Sequence, residues 1–498
     1  MTSSYADRWG APVQAADGAA VLLLDQAIED LVALSGDPVG GAEAAIEADG
    51  ELALARIYRA YLSLYATTAE GAAEASALIK PLEAGRPGTA GPLGARAGRH
   101  LAAARAWADG DWQAAARALE RALAADPRDL LALKIAQDIY FFTGNRLELR
   151  DVVARVLPAW PPDDPAWGFV QGMWAFGLEE NGDYRGAETA AGNALARNPR
   201  DVWGVHALAH VFEMEGRQQP GVSFLTSSSP DWETSYFAVH NWWHLGLYLL
   251  ELGQVGDALA LYHERIRAAR STEWLDIVDA AALLWRLSLY GTDVTAPAAA
   301  LAADISDLVD LPAYIFNDWH AVMAFGLAGD HARTARILAA NRHLTAPTNR
   351  QAAERAGLRL LEGFAALAAG RPEQAVDLLI DIRPEAHAVG GSHAQRDVID
   401  LTLIGAAARS GQAGLARALV AERAARKPAA EPSARALVLA NGGDETWLAW
   451  LHDQHPVHQL IAVAVTGHPV QLGDSERAAE PGPRLADWHI THAAPFCS

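Results

Sequence analysis

Ten glycines recur along this chain at near-regular intervals, each where an apolar helical pattern stops. Gly71, Gly110, Gly144, Gly182, Gly216, Gly253, Gly291, Gly329, Gly370 and Gly411 follow one another at 34 to 41 residues. A period in that range marks stacked helix-turn-helix units. A glycine there supplies the left-handed residue that closes the first helix of each pair. The plainest unit reads Gly110-Asp111-Trp112-Gln113-Ala114-Ala115 and runs to Asp126-Pro127. Its sister begins Gly182-Asp183-Tyr184-Arg185-Gly186-Ala187 and stops at Asn198-Pro199. Proline ends the second helix, and the next unit begins.

One hairpin cannot bury its apolar face alone, whereas a stack buries a continuous core. The expected fold is therefore all-α, a tetratricopeptide-like α-solenoid of about ten helical hairpins, curved into a superhelix with a concave groove. Composition agrees: 51% of the 498 residues are hydrophobic, and alanine, the best helix former, is abundant. Residues 1–50 read as an N-terminal cap with a loop and one helix, from about Gly18 to Ser35. Residues 51–435 read as the repeat array, with a Gly- and Pro-rich loop over 80–94 and a linker-like stretch from Arg426 to Pro432. Residues 436–468 read as a C-terminal helical addition carrying Trp447 and Trp450, and 469–498 as a mobile tail.

Forty basic side chains against 61 acidic ones leave a formal charge of −21. A chain this acidic is expected to repel phosphate backbones and anionic membranes, which argues against nucleic acid as a partner. Cys497 is the only cysteine, so neither an intrachain disulfide nor a thiolate metal cluster can form. Met1 to Trp9 lacks the basic and apolar blocks of a secretory signal. No apolar run reaches membrane-spanning length. The cytoplasm is the compartment expected, and no cofactor is called for.

In arrays of this type the first helices line the concave side. Here they carry polar groups in otherwise apolar sequence. His206, His210 and Glu213 precede Gly216 at i, i+4 and i+7; His240, Asn241, Trp243 and His244 precede Gly253. Asp276 and Asp279 precede Gly291, Asp318 and His320 precede Gly329, and His393, Gln395, Arg396 and Asp397 precede Gly411. Such spacings place each set on one helix face. Burying these groups unpaired costs about 1–3 kcal/mol each, so they are expected to meet across a shared groove.

At these residues the chain resembles the tetratricopeptide repeat protein 38 family. The matching strings run from His206-Ala-Leu-Ala-His210 through Gly216, then His240-Asn-Trp-Trp-His244. Leu275-Asp-Ile-Val-Asp-Ala280 follows with Leu284-Trp-Arg-Leu287, then Asp318-Trp-His320 with Met323-Ala324, and Gly390-Gly-Ser-His-Ala-Gln-Arg-Asp-Val398. The resemblance covers roughly residues 10–435. It implies the repeat fold, and its motifs coincide with the polar patch without naming a chemistry.

Three functions fit the patch. The first is a small-molecule site in the concave groove with acid-base chemistry. There His210, His240, His244, His320 and His393 carry protons, oriented by Asp279, Asp318 and Asp397. His206, Glu213, Asn241, Trp243, Asp276, Gln395 and Arg396 contact the ligand, and Trp242 and Trp319 help wall it. The second is a metal site on the two HxxxH pairs, His206 with His210 and His240 with His244. No acidic residue sits at ligand spacing inside either pair, so a tightly bound metal is the less expected outcome. The third is a scaffold that holds a peptide or protein partner in the groove.

Overall fold

The computed structural model describes residues 3–83, 93–307, 312–427 and 431–443. Two short strands, β1 (Ser3–Ala6) and β2 (Pro12–Ala15), form an antiparallel ribbon with Ser3 opposite Ala15. Helical hairpins follow. The first five are α1 (Gly18–Val32) with α2 (Pro38–Ala48), α3 (Ala53–Tyr65) with α4 (Ala69–Glu83), α5 (Ala95–Ala108) with α6 (Trp112–Ala125), α7 (Leu130–Phe142) with α8 (Arg146–Val156), and α9 (Trp167–Glu179) with α10 (Tyr184–Arg197). Then come α11 (Val202–Met214) with α12 (Gln218–Trp232), α13 (Ala238–Glu251) with α14 (Val255–Leu261), α15 (Trp274–Leu289) with α16 (Thr295–Asp304), and α17 (Ile315–Leu327) with α18 (His331–Asn341). α19 (Pro347–Ala352) continues through a π-turn into α20 (Leu358–Ala368), which pairs with α21 (Pro372–Leu379). α22 (His393–Arg409) pairs with α23 (Ala413–Arg426), and α24 (Glu431–Ala440) packs behind them.

The glycine reading holds at nine of the ten positions, from Gly110 to Gly411, where φ lies between 64° and 82°. At the clearest turn the Gly110 N–H donates to the Trp107 carbonyl and the Asp111 N–H to that of Ala106, closing α5. The Asp111 carboxylate then accepts from the Ala114 N–H at 2.9 Å and starts α6. One Gly-Asp pair thus ends one helix and caps the next. Gly71 is the exception. It lies inside α4, and the α3–α4 turn is made at Thr67 with φ 52°. A Cβ at Gly71 would sit 2.3 Å from the Ser63 carbonyl oxygen, so glycine there serves close helix approach.

The N-terminal fifty residues hold two helices rather than one, because Gly36 (φ 73°) turns the chain into α2. α24 begins inside the stretch read as a linker. Residues 84–92 of the expected loop, residues 444–468 of the expected addition with Trp447 and Trp450, and the expected tail 469–498 with Cys497 lie outside the described residues.

First and second helices differ in burial. α11 is buried from Val202 to Glu213, whereas α10 buries only Ala187, Ala190, Ala191 and Ala194. A helix buried all round lies inside the wall; one with a single apolar stripe lies outside it. The curvature brings distant segments together across the inner side. The Tyr236 N–H donates to the Leu34 carbonyl at 3.0 Å, Asn317 Nδ2 to Thr67 Oγ1 at 2.8 Å, and the Thr348 N–H to the Gly110 carbonyl at 3.1 Å. The His393 N–H reaches Glu180 Oε1 at 3.0 Å. α22 therefore lies against α9 and α15, with the inner faces of α11 and α13 between. No helix among the described residues is long and apolar enough to cross a membrane.

Candidate functional site

The two HxxxH pairs sit one repeat apart. His206 and His240 are separated by 34 residues, and so, by position, are His210 and His244. Equivalent positions on neighbouring first helices face each other, so the repeat itself sets four imidazoles in register. His210 Nε2 lies 3.0 Å and His240 Nε2 3.2 Å from His206 Nε2. The His210 and His244 rings are 4.5 Å apart between centroids. One nitrogen from each of the four lies within 4.8 Å of the other three, and all four residues are buried.

The outer nitrogens face carboxylates. His240 Nδ1 lies 2.9 and 3.0 Å from the two Asp279 oxygens. His244 Nδ1 lies 3.3 Å from Glu213 Oε2, and His210 Nδ1 3.2 Å from Glu179 Oε2. A carboxylate at Nδ1 holds the proton on that nitrogen and leaves Nε2 as a lone pair. Three lone pairs then point at one another and at His206 Nε2. His206 carries one proton and satisfies one of its two neighbours, and His244 Nε2 is buried with no hydrogen-bond partner. Burial, then the neighbouring imidazoles, hold His206 and His244 well below the usual histidine range, which keeps both neutral.

Two charge networks steady the cluster. Lys427 Nζ donates to Glu213 Oε1 at 2.8 Å. Burial raises the Glu213 pKa, but Lys427 and His210 together outweigh it and keep the carboxyl ionised. Arg423 donates to Asp397 at 2.9 Å and 2.6 Å and to Glu251 at 2.5 Å, behind Lys427. Trp243 stacks on His240 at 5.2 Å and 18°, with the Arg286 guanidinium 5.2 Å from its ring. Arg286 also donates to the Ala394 and Gln395 carbonyls at 3.0 and 3.3 Å, which ties α15 to the start of α22.

The structure brings His206, His210, Glu213, His240, Trp243, His244, Asp279 and His393 together. It gives several expected partners other duties. Asp397 does not orient a histidine; it is paired with Arg423 and lies 3.7 Å from Lys427. His320 Nδ1 donates to its own helix at the Phe316 carbonyl, 2.7 Å, and burial pushes its pKa down to about 3. Asp318 takes Asn341 Nδ2 at 3.1 Å, and burial raises it to about 7. Gln395 closes a capping box with Ser392 at the start of α22. Asp276 is raised to about 6, first by burial, with Ser271 as its hydrogen-bond partner. Asn241 is buried with neither amide atom hydrogen-bonded, and Trp242 packs on Trp232 at 4.7 Å. A shared helix face identified these residues, but which neighbour packs against that face decides their partners.

Glu179 and Glu180 were missed in the sequence. Glu179 stands three residues before Gly182, as Glu213 stands three before Gly216; that equivalence is the signal that marks it. Glu179 is fully buried, with His393 Nε2 2.8 Å from Oε1. Burial raises the Glu179 pKa, but His393 and His210 outweigh it. Burial lowers the His393 pKa, but Glu179 and Glu180 lift it to about 9. The His393 side chain is 21% exposed, the most open of the group. Arg396 beside it donates to the Gly390 and Gly391 carbonyls and lies 3.7 Å from Glu180.

No family model matches the chain. Among solved structures, it is similar to the human IFIT1 dimer with m7Gppp-AAAA at 12% identity and a TM-score of 0.37, over 90% of this chain and 92% of that one. It is similar to a monomeric mutant of IFIT1 with Gppp-AAAA at 12% identity and a TM-score of 0.35, over 74% and 76%. A likeness of this size assigns no ligand here. Both neighbours hold a capped oligonucleotide, however, and the exclusion of nucleic acid drawn from net charge is withdrawn. Charge summed over a whole chain does not fix the local potential of a groove.

Proposed function

We propose that this chain is a helical-repeat metalloprotein, in which His206, His210, His240 and His244 bind a divalent transition metal that serves a small-molecule site. The observation that carries this is the convergence of four imidazoles, three of which turn their outer nitrogen toward a carboxylate. A tetrahedral ion at about 2.1 Å from each nitrogen sets the nitrogens about 3.4 Å apart, which the four rings reach with small adjustments. A proton relieves one lone-pair contact; an ion relieves all four. Carboxylates on the outer ring nitrogens commonly back such ligands, and they orient each ring and raise its basicity. No acid sits inside either HxxxH pair, and the carboxylates arrive instead from α9, α11 and α15. Neutral nitrogen donors suit zinc, iron, nickel or copper better than magnesium or calcium.

The strings shared with the tetratricopeptide repeat protein 38 family include all four imidazoles and Asp279, and we read the chain as a relative of that family on this ground. The acid-base reading survives as a part of this one, since His393 and Glu179 stand at the more open edge of the cluster.

Protein purified without a histidine tag should contain a transition metal by elemental analysis. Stripped protein should take up Co(II) with visible absorption bands. His240→Ala should lose this ion with its helical circular dichroism retained. Stripped protein that takes up none of cobalt, zinc, iron or manganese would overturn the proposal.

A further inference from the structure

Beside the imidazole cluster lies a second set of ligand atoms. Glu179, Glu180, His210 and His393 each offer one, all within 4.8 Å of one another. Glu179 is fully buried, yet neither of its oxygens has a hydrogen-bond partner. His393 Nε2 and His210 Nδ1 approach these oxygens at 2.8 and 3.2 Å, but neither contact has hydrogen-bond geometry. A buried carboxylate in this state is expensive to keep, so something else is expected to satisfy it. Glu180 Oε1 accepts the His393 backbone N–H and lies 3.3 Å from His393 Nδ1.

We infer that Glu179, Glu180 and His393 hold a second divalent cation, which makes the centre binuclear. This rests on the four-imidazole reading in one respect: Glu179 is the shared element. Its Oε1 faces the second ion, and its Oε2 lies 3.2 Å from Nδ1 of His210, whose Nε2 faces the first. Two carboxylates and one imidazole form a harder donor set than four imidazoles, and favour manganese, iron or zinc. Three protein ligands leave coordination positions open, as catalytic sites require. They open on the side where His393 is exposed, so a small substrate with oxygen donors reaches the second ion first. Paired ions of this kind activate water and clamp an anionic group.

The test is metal stoichiometry by Mn(II) and Co(II) titration of the full chain, with circular dichroism as the folding control. Wild type should bind two equivalents. His393→Ala and Glu180→Gln should each bind one, and the glutamine variant keeps the acceptor for the His393 N–H if the alanine variant misfolds. His240→Ala should lose the ion that these variants keep. A wild type that binds one ion, lost in His240→Ala and unaffected by Glu180→Gln, sinks the second site and leaves the first standing. One ion lost in Glu180→Gln but kept in His240→Ala does the reverse. No binding at all sinks both.

Discussion

Two buried polar networks occupy the inner side of this solenoid, and they differ in completeness. In the N-terminal network Arg96 donates to both Asp129 oxygens at 2.8 and 2.9 Å and to Asp7 at 2.8 Å. His100 Nε2 lies 3.0 Å from Asp129, and Tyr61 donates to the His100 carbonyl at 3.0 Å. Burial raises the Asp129 pKa, but Arg96 and His100 drive it well below the usual carboxylate range. One guanidinium there serves both carboxylates, and no buried side-chain atom of Asp7, Tyr61, Arg96, His100 or Asp129 lacks a hydrogen-bond partner. In the second network imidazole nitrogens face one another, and Glu179, His206, His210, His244 and His393 all keep atoms with no hydrogen-bond partner. Both contain a histidine on a first helix facing a carboxylate, so residue type does not separate them. Satisfaction does: a closed network stabilises a fold, and an open one is organised around something else.

The largest effect should come from breaking the closed network. Arg96→Met leaves Asp7 and Asp129 buried without their cation, and should lower the unfolding free energy by about 3–5 kcal/mol. Metal content of the folded fraction should stay unchanged. A loss of metal with no loss of stability would show that the two networks had been assigned the wrong way round. A smaller effect sharpens the other side. Asp279→Asn keeps the shape beside His240 but removes the charge that fixes its tautomer, and should weaken metal binding about 10–100-fold. Without metal, the variant should be no less stable than wild type, because Asp279 ionises against burial and its pKa is raised for that reason. An equal loss with and without metal would make Asp279 a structural partner like Asp129.

The sequence made the periodic part of this molecule legible. Nine turn glycines and the register of the two HxxxH pairs follow from one local rule repeated at a fixed spacing. Gly71 failed because a glycine can also serve close packing, which spacing does not distinguish from a turn. The contact between His393 and Glu179 was not legible at all. It depends on the curvature summed over seven hairpins, and a small rotation per repeat, invisible in any one of them, decides which helices meet across the superhelix. The same holds for Lys427, whose partners Glu213 and Glu251 arrive from other first helices, whereas Asp397 pairs with Arg423 of its own hairpin. Local pattern identifies which residues are unusual, and the global twist decides what they do.

The last effect, the one that reads both edges of the open network at once, is the pH dependence of the metal-free chain. His393 is lifted to about 9 in the fold, from about 6.5 in an unfolded chain. A raised folded pKa means the fold binds this proton more tightly, so its stabilisation is fully present below pH 6.5 and is lost as pH rises through 9. His206 and His244 run the other way. Their folded pKa values are depressed, so the unfolded chain takes up their protons first. The fold is therefore penalised as pH falls below 6.5, and the penalty vanishes above it. The metal-free chain should be most stable near pH 6.5 in urea unfolding, with one decline from there up to about pH 9 and another below 6.5. His393→Gln should flatten the alkaline decline and leave the acid one. Bound metal should deepen the acid decline, since protons then also compete for the ligand nitrogens. An alkaline limb that persists in His393→Gln would place the responsible group elsewhere and remove His393 from between the two carboxylates as a charged partner.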